Sequence, residues 1–490
     1  MKKASVLLIA LSLFFQVGAQ STDEADNRET IRRMIDSYNA QDYKKMKKPW
    51  FWLGKLVVTE KKLEKEFGAF FKKYGKAAVD TIACRSAYDC VAKLRMEKDS
   101  SRRTFLRFVF TGSGKLQGFG FTYPPLIYPK KKTITLTDTE KNTKITGLIE
   151  NRYRGDSLSR FNGSVVALDH GKIIFKEHYG FADFARQLPL NDSSLFELAS
   201  CGKQFTAMAI LLLARQGKLK YSDTVQKYIP GFPYAGITIE HLVRHTSGVP
   251  DYEKLLDKVW DKERFAGNDD VVKLLEIHKP RPVFRPGERF LYSNTGYVLL
   301  SVIIEKASGM SYSAYLDSAI FQPLGMKHTR VYNTRRSANE KIDNYAYGYV
   351  YSKGLKKYML PDSLPAYRQV VYQDAITGDG TVNSCISDLI IWDKALRENE
   401  LIPQQALDEA YRGSVLDNGM PVDYGYGVFL NGSNGSSERT VYHTGSWPGY
   451  LCVIIRFPDL QKAVVVLSNN TYGDFLNMAD DISAVLLDQD

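Results

Sequence analysis

One tetrapeptide constrains this chain more than any other feature. Ser200-Cys201-Gly202-Lys203 is the only Ser-x-x-Lys in 490 residues, and it opens an apolar run from Gln204 to Arg215 that reads as a buried helix. A serine at a helix start presents its hydroxyl where the helix dipole favours developing negative charge. A lysine three residues on lies over the same face, about one turn away. Burial makes its ammonium costly, so its pKa falls and the free amine can take the serine proton. On its own such a short motif is compatible with a solvated surface pair. Gly202, inside the first turn, costs about 1 kcal/mol relative to alanine, and a small residue there is read as room for substrate.

Two further elements change the weighting. Tyr292-Ser293-Asn294 follows a Pro286-Gly287 turn and precedes an apolar helix over 297–306. Its tyrosine sits on a loop before a helix, placed to relay a proton beside a lysine. Asn294 carries both an amide donor and an acceptor, enough to hold Lys203 and a substrate amide together. His443-Thr444-Gly445-Ser446 precedes two β-branched runs, 451–456 and 463–468, that read as strands of an antiparallel sheet. Gly445 admits close approach of a ligand to the backbone.

Ser-x-x-Lys, Tyr-Ser-Asn and His-Thr-Gly, in that order, resemble the three motifs of the penicillin-recognising serine hydrolases. The pattern is similar to the class C β-lactamase-related branch, which includes D-Ala-D-Ala carboxypeptidases, D-aminopeptidases and esterases. His241–Pro250, Thr377–Leu389 and Tyr424–Gly427 resemble further segments of that branch. The resemblance implies a β-lactamase/transpeptidase-like α+β fold over 145–490, an antiparallel sheet flanked by helices plus a helical subdomain. It implies Ser200 as nucleophile, Lys203 and Tyr292 as proton carriers, and Asn294 as a substrate-positioning group. The amides of Ser200 and Ser446 would form an oxyanion hole. His443 would line the strand edge, binding a carboxylate or shuttling a proton. Thr444, Gly445, Ser446 and Trp447 would line the substrate site. β-Lactamases of this branch usually carry Lys-Thr-Gly where this chain has His-Thr-Gly, which argues against efficient β-lactam hydrolysis. The expected activity is acyl-enzyme hydrolysis of D-amino-acid-containing peptides of the peptidoglycan type. An esterase of the same fold is the alternative, and a non-catalytic penicillin-binding or sensor module a third reading.

The rest of the chain frames that unit. Residues 1–19, two lysines and a short apolar core ending in Gly-Ala, read as a cleavable signal peptide. The expected location is therefore periplasmic or secreted. Residues 21–128 read as helices followed by four strands, a small α+β layer resembling the cystatin or nuclear-transport-factor-2-like type. Residues 129–144, proline-led and then polar, read as a linker. Charge is segregated: 21–144 hold 27 basic and 15 acidic side chains, a net of +12, whereas 145–490 hold 37 and 40, a net of −3. The basic segment is suited to anionic cell-envelope polymers; nucleic acid is not an expected partner of an exported protein. Five cysteines leave at least one free thiol, and Cys84 and Cys90 are close enough to pair. His241 and His245 have a metal-like spacing but no evident third ligand. No metal or other cofactor is expected, and oligomeric state is not legible.

Overall fold

The computed structural model describes residues 24–49, 59–86, 89–110, 115–122, 135–154, 160–332, 342–417, 419, 421–431, 439–471 and 475–488. The expected signal peptide lies outside them. No helix among the described residues is long and apolar enough to cross a membrane. The described residues form two compact units, one up to Thr122 and one from Thr135 onward.

In the first unit, Ile31, Met34, Ile35 and Tyr38 recur at helical spacing and are all buried, which makes one face of α1 (Glu24–Asn39) apolar. After α2 (Tyr43–Met46) and α3 (Glu60–Tyr74) comes an antiparallel meander. Its strands are β1 (Ala77–Ser86), β2 (Asp89–Met96), β3 (Asp99–Phe110) and β4 (Leu116–Thr122), paired in chain order. Leu94, Leu106 and Phe108 join the α1 stripe in one core. Cys90 is disulfide-bonded and Cys84 stands opposite it in the β1–β2 register, while Cys201, Cys385 and Cys452 are free. Lys44, Lys45 and Lys48 remain exposed.

The second unit begins earlier than the sequence reading places it. The expected linker over 129–144 ends in α4 (Asp138–Leu148), opened by a capping box between Thr137 and Glu140. Lys141 is buried there, in ion pairs with Asp169 at 3.2 Å and Asp488 at 3.3 Å. A polar composition was therefore compatible with a packed helix, because its lysine is charge-compensated.

From there the chain forms β5 (Gly163–Asp169) and β6 (Lys172–Tyr179), then a largely helical stretch with α5 (Lys203–Arg215), α6 (Tyr252–Val259) and α7 (Asn294–Ser308). It returns through β7 (Phe429–Asn431), β8 (Thr440–Trp447), β9 (Tyr450–Phe457), β10 (Lys462–Ser468) and α8 (Phe475–Leu486). The sheet order is β7-β8-β9-β10-β5-β6, antiparallel throughout. α5 and α7 are apolar almost all round and pack together in the main core, consistent with their central position. β7 covers β8 only from Thr440 to Tyr442, so among the described residues His443–Trp447 has one edge unpaired by a strand.

Candidate active site

Ser200 lies in a 3-10 turn, Ala199–Gly202, that runs directly into α5. Ala199 has φ +46°, in the left-handed region that costs a non-glycine residue about 1–3 kcal/mol. Strain of this kind persists where surrounding packing enforces it, and here β8 supplies that packing. A Cβ at Gly445 would stand 2.1 Å from the Leu198 carbonyl oxygen and 3.3 Å from the Cys201 amide nitrogen. Gly445 is thus required because two backbones touch. Gly202 has a similar explanation: a Cβ there would meet the Val382 side chain at 3.2 Å. The small residue serves packing, correcting the expectation that it leaves space for substrate.

Lys203 is fully buried. Its Nζ donates to Ser200 Oγ at 3.1 Å, Asn294 Oδ1 at 3.0 Å and the Asp379 carbonyl at 2.5 Å. It also lies 5.0 Å from the Tyr292 ring centroid and 5.4 Å from that of Tyr297. Burial pushes its pKa down to about 8, against the opposing pull of the Asp379 and Glu253 carboxylates.

Ser293 caps α7 by accepting from the Gly296 amide, which leaves Tyr292 before the helix and Asn294 in its first turn. The Tyr292 hydroxyl is buried. It lies beside Ser200, which favours its ionised form, but outside hydrogen-bond geometry, so it has no bonded partner among the described residues. Burial holds its pKa well above 10. The Asn294 amide spans two groups: Oδ1 faces Lys203, and Nδ2 donates to Glu253 Oε1 at 2.8 Å.

His443 is on β8 and almost fully buried. The Thr444 carbonyl, 2.8 Å from Nδ1, can only accept, so Nδ1 carries the proton. Nε2 therefore accepts from the Tyr424 hydroxyl at 3.1 Å. Burial, reinforced by Lys203, pushes the imidazole pKa down to about 3. A neutral ring offers a substrate carboxylate no cation, which goes against the carboxylate-binding half of the expectation for His443, while its Nε2 meets a hydroxyl with which it can exchange a proton. Beyond it on β8, Gly445 is buried, Thr444 and Trp447 are half-buried, and Ser446 is exposed.

Sequence reasoning missed several neighbours. Glu253, on α6, and Asp379 are the carboxylates Lys203 senses, and burial raises the pKa of each. Tyr252 donates to Asp379 Oδ2 at 3.0 Å. His245 accepts the Ser293 amide at Nδ1, 3.0 Å away, and its ring packs 4.3 Å from Tyr292, 5.0 Å from Tyr297 and 4.5 Å from Tyr424. His241 has a separate task, capping α-helical turn Ile239–Val243 with Thr238. The two histidines therefore serve separate local contacts.

A sequence profile described as Beta-lactamase matches residues 151–488, more than half the chain. The chain belongs to the beta-lactamase family. Within it, the chain is 48% identical over 310 residues to penicillin-binding protein 4* of Bacillus subtilis (strain 168), covering 63% of this chain and 68% of that protein. It is 29% identical over 317 residues to protein flp of Staphylococcus aureus (strain MW2), covering 62% of this chain and 59% of that one, so it spans under two thirds of flp. Among solved structures, a penicillin-binding protein from Bacillus halodurans aligns with TM-score 0.59 and 27% identity over 70% of this chain and 98% of its own. D-amino acid amidase from Ochrobactrum anthropi SV3 aligns with TM-score 0.55 and 23% identity over 71% and 97%, a likeness of fold. The chain is a serine hydrolase of the beta-lactamase fold.

Proposed function

We propose that this hydrolase acts outside the cytoplasm, through an acyl-enzyme, on amide bonds of D-amino-acid-containing peptides. The observation that carries the mechanism is the 3.1 Å contact between Ser200 Oγ and the amine of a fully buried lysine with a pKa near 8. Ser200 Oγ attacks the substrate carbonyl carbon while its proton passes to Lys203 Nζ. The oxyanion is held by the amides of Ser200 and Ser446, fixed relative to each other by the close packing at Gly445. The proton moves through Tyr292 to the leaving nitrogen, and the C–N bond breaks. Water, deprotonated by the same pair, then releases the acyl group and restores Ser200.

The name of the Bacillus relative and that of the amidase with the same fold support the amide-directed reading. The signal-like N-terminus supports export. The test is a fluorophosphonate label on wild type and Ser200→Ala, followed by turnover of D-Ala-D-Ala peptides, p-nitrophenyl esters and nitrocefin. Labelling mapped to Ser200, peptide turnover and slow nitrocefin hydrolysis are expected. Ester turnover without peptide turnover would favour the esterase reading, and no labelling the non-catalytic one. We assign the basic first unit to placement on anionic envelope polymer, tested by salt-sensitive binding to sacculi.

A further inference from the structure

His245 meets three successive residues of the loop that carries Tyr292. Its carbonyl accepts the Leu291 amide at 2.9 Å, and its Nδ1 accepts the Ser293 amide at 3.0 Å. Between those two amides, the Tyr292 ring lies 4.3 Å from the imidazole, tilted 34° from parallel. The backbone that permits this double grip is itself unusual. His245 has φ +59°, a left-handed conformation that histidine and asparagine enter more readily than most residues.

Packing alone does not explain an imidazole at this position. Burial keeps the ring neutral, and Nδ1 accepts, so the proton is on Nε2. That N–H is buried with no hydrogen-bond partner among the described residues, a cost that a phenyl ring would not carry. What the imidazole adds is the in-plane acceptor for Ser293. Tyr292 depends on such outside support, because its buried hydroxyl has no bonded partner among the described residues to fix the ring. The rings of His443, Phe429 and Tyr424 stand further from it than His245, at 6.0, 6.1 and 6.3 Å.

We propose that His245 is the positioning residue for Tyr292, holding the phenol where it delivers a proton to the leaving group and taking no proton itself. This rests on the acyl-enzyme reading above and deepens it. An alkoxide or an amide nitrogen must be protonated as its bond to the acyl carbon breaks, whereas p-nitrophenolate departs as a stable anion. Loss of His245 is therefore felt in proportion to the leaving group's need for a proton.

The test compares D-alanine ethyl ester with D-alanine p-nitrophenyl ester at pH 7, using the full mature protein. Both give the same acyl-enzyme, so the ratio of their kcat/KM values reports acylation alone. His245→Asn keeps an acceptor and tolerates the left-handed backbone but removes the stacked ring, whereas His245→Phe keeps a ring and removes the acceptor. Each should lower kcat/KM on the ethyl ester by about tenfold or more and on the p-nitrophenyl ester by about twofold or less. In a Tyr292→Phe background the same substitutions should leave the ratio of the two esters unchanged, because His245 acts through that phenol. Fluorophosphonate labelling of Ser200, in which fluoride leaves without a proton, is read in parallel and should keep the wild-type rate in variants that fold. An equal loss on both esters, a ratio unchanged in both variants, a selective loss that persists in Tyr292→Phe, or no ethyl-ester turnover by a wild type that labels would overturn the proposal. Labelling without leaving-group selectivity removes only this inference, whereas absent labelling of wild type removes the acyl-enzyme reading itself.

Discussion

Lys203 should set the pH dependence of the reaction, and the structure allows the effect to be worked through. With its pKa near 8, about one amine in ten is free at pH 7 and about one in a hundred at pH 6. An ordinary lysine, at 10.5, would offer about three in ten thousand at pH 7, so burial raises the supply of base about 300-fold. For kcat/KM on a neutral ester such as p-nitrophenyl acetate, this predicts an acid limb centred near pH 8, falling about tenfold per unit below it. Neither histidine of the site produces that limb, since His443 sits near 3 and burial holds His245 well below 6.5. Tyr292, well above 10, adds no alkaline limb in the range. The sign of the second perturbation is also determined. The Asp379 carboxylate favours the lysine's charged form, so Asp379→Asn should lower the Lys203 pKa and move the limb toward acid by about one unit or more. The assay is the pH–rate profile of both proteins from 5.5 to 9.5. A flat profile between 6 and 9, or a limb that Asp379→Asn moves upward, would refute the reasoning.

Three other perturbations test separate parts of the architecture. Gly445→Ala forces a methyl group against the Leu198 carbonyl and should cost about 100-fold or more in kcat by displacing the oxyanion donors, measured as a slowed acylation burst in a protein that still folds. Tyr424→Phe leaves His443 Nε2 buried without its donor, which should lower stability by about 1–3 kcal/mol in thermal melts. A hydrolase unit starting at 145 loses the Thr137 cap and the buried Lys141, so it should melt below one starting at 135, by about 1 kcal/mol or more, with Asp169 keeping Lys462 as a partner.

What was legible in the sequence was what local pattern encodes. The α1 stripe and the strand-like runs that became β1–β4 announce themselves by period, whereas the helix-start signal Thr137-x-x-Glu140 was passed over because the polar composition around it reads as a linker. Ser200, Lys203, Tyr292 and Asn294 were recognisable because the motif types carry their chemistry with them. Glu253 was not, because nothing local distinguishes it among 55 acidic residues, and Asp379, though inside the resembling segment Thr377–Leu389, carries no local sign of its contact with Lys203; only the fold brings the two there. His443 was legible by position but not by state. Its neutrality follows from burial, the Thr444 carbonyl and the Tyr424 hydroxyl, two of which are invisible in a linear reading. Gly202 was misread for a similar reason, since Val382, the residue it makes room for, is distant in the chain.

The central sheet joins the two ends of the hydrolase sequence. Asp169 on β5 is paired in register with Lys462 on β10, 293 residues later, and the two side chains form an ion pair. The nucleophile is therefore synthesised long before the strand that holds its turn and supplies the Ser446 amide. Pairing at such sequence separation is slow, because the loop entropy is spent before the contact rewards it. A chain still emerging from the ribosome carries Ser200 and Lys203 without an active site, and activity begins only when the last strands arrive.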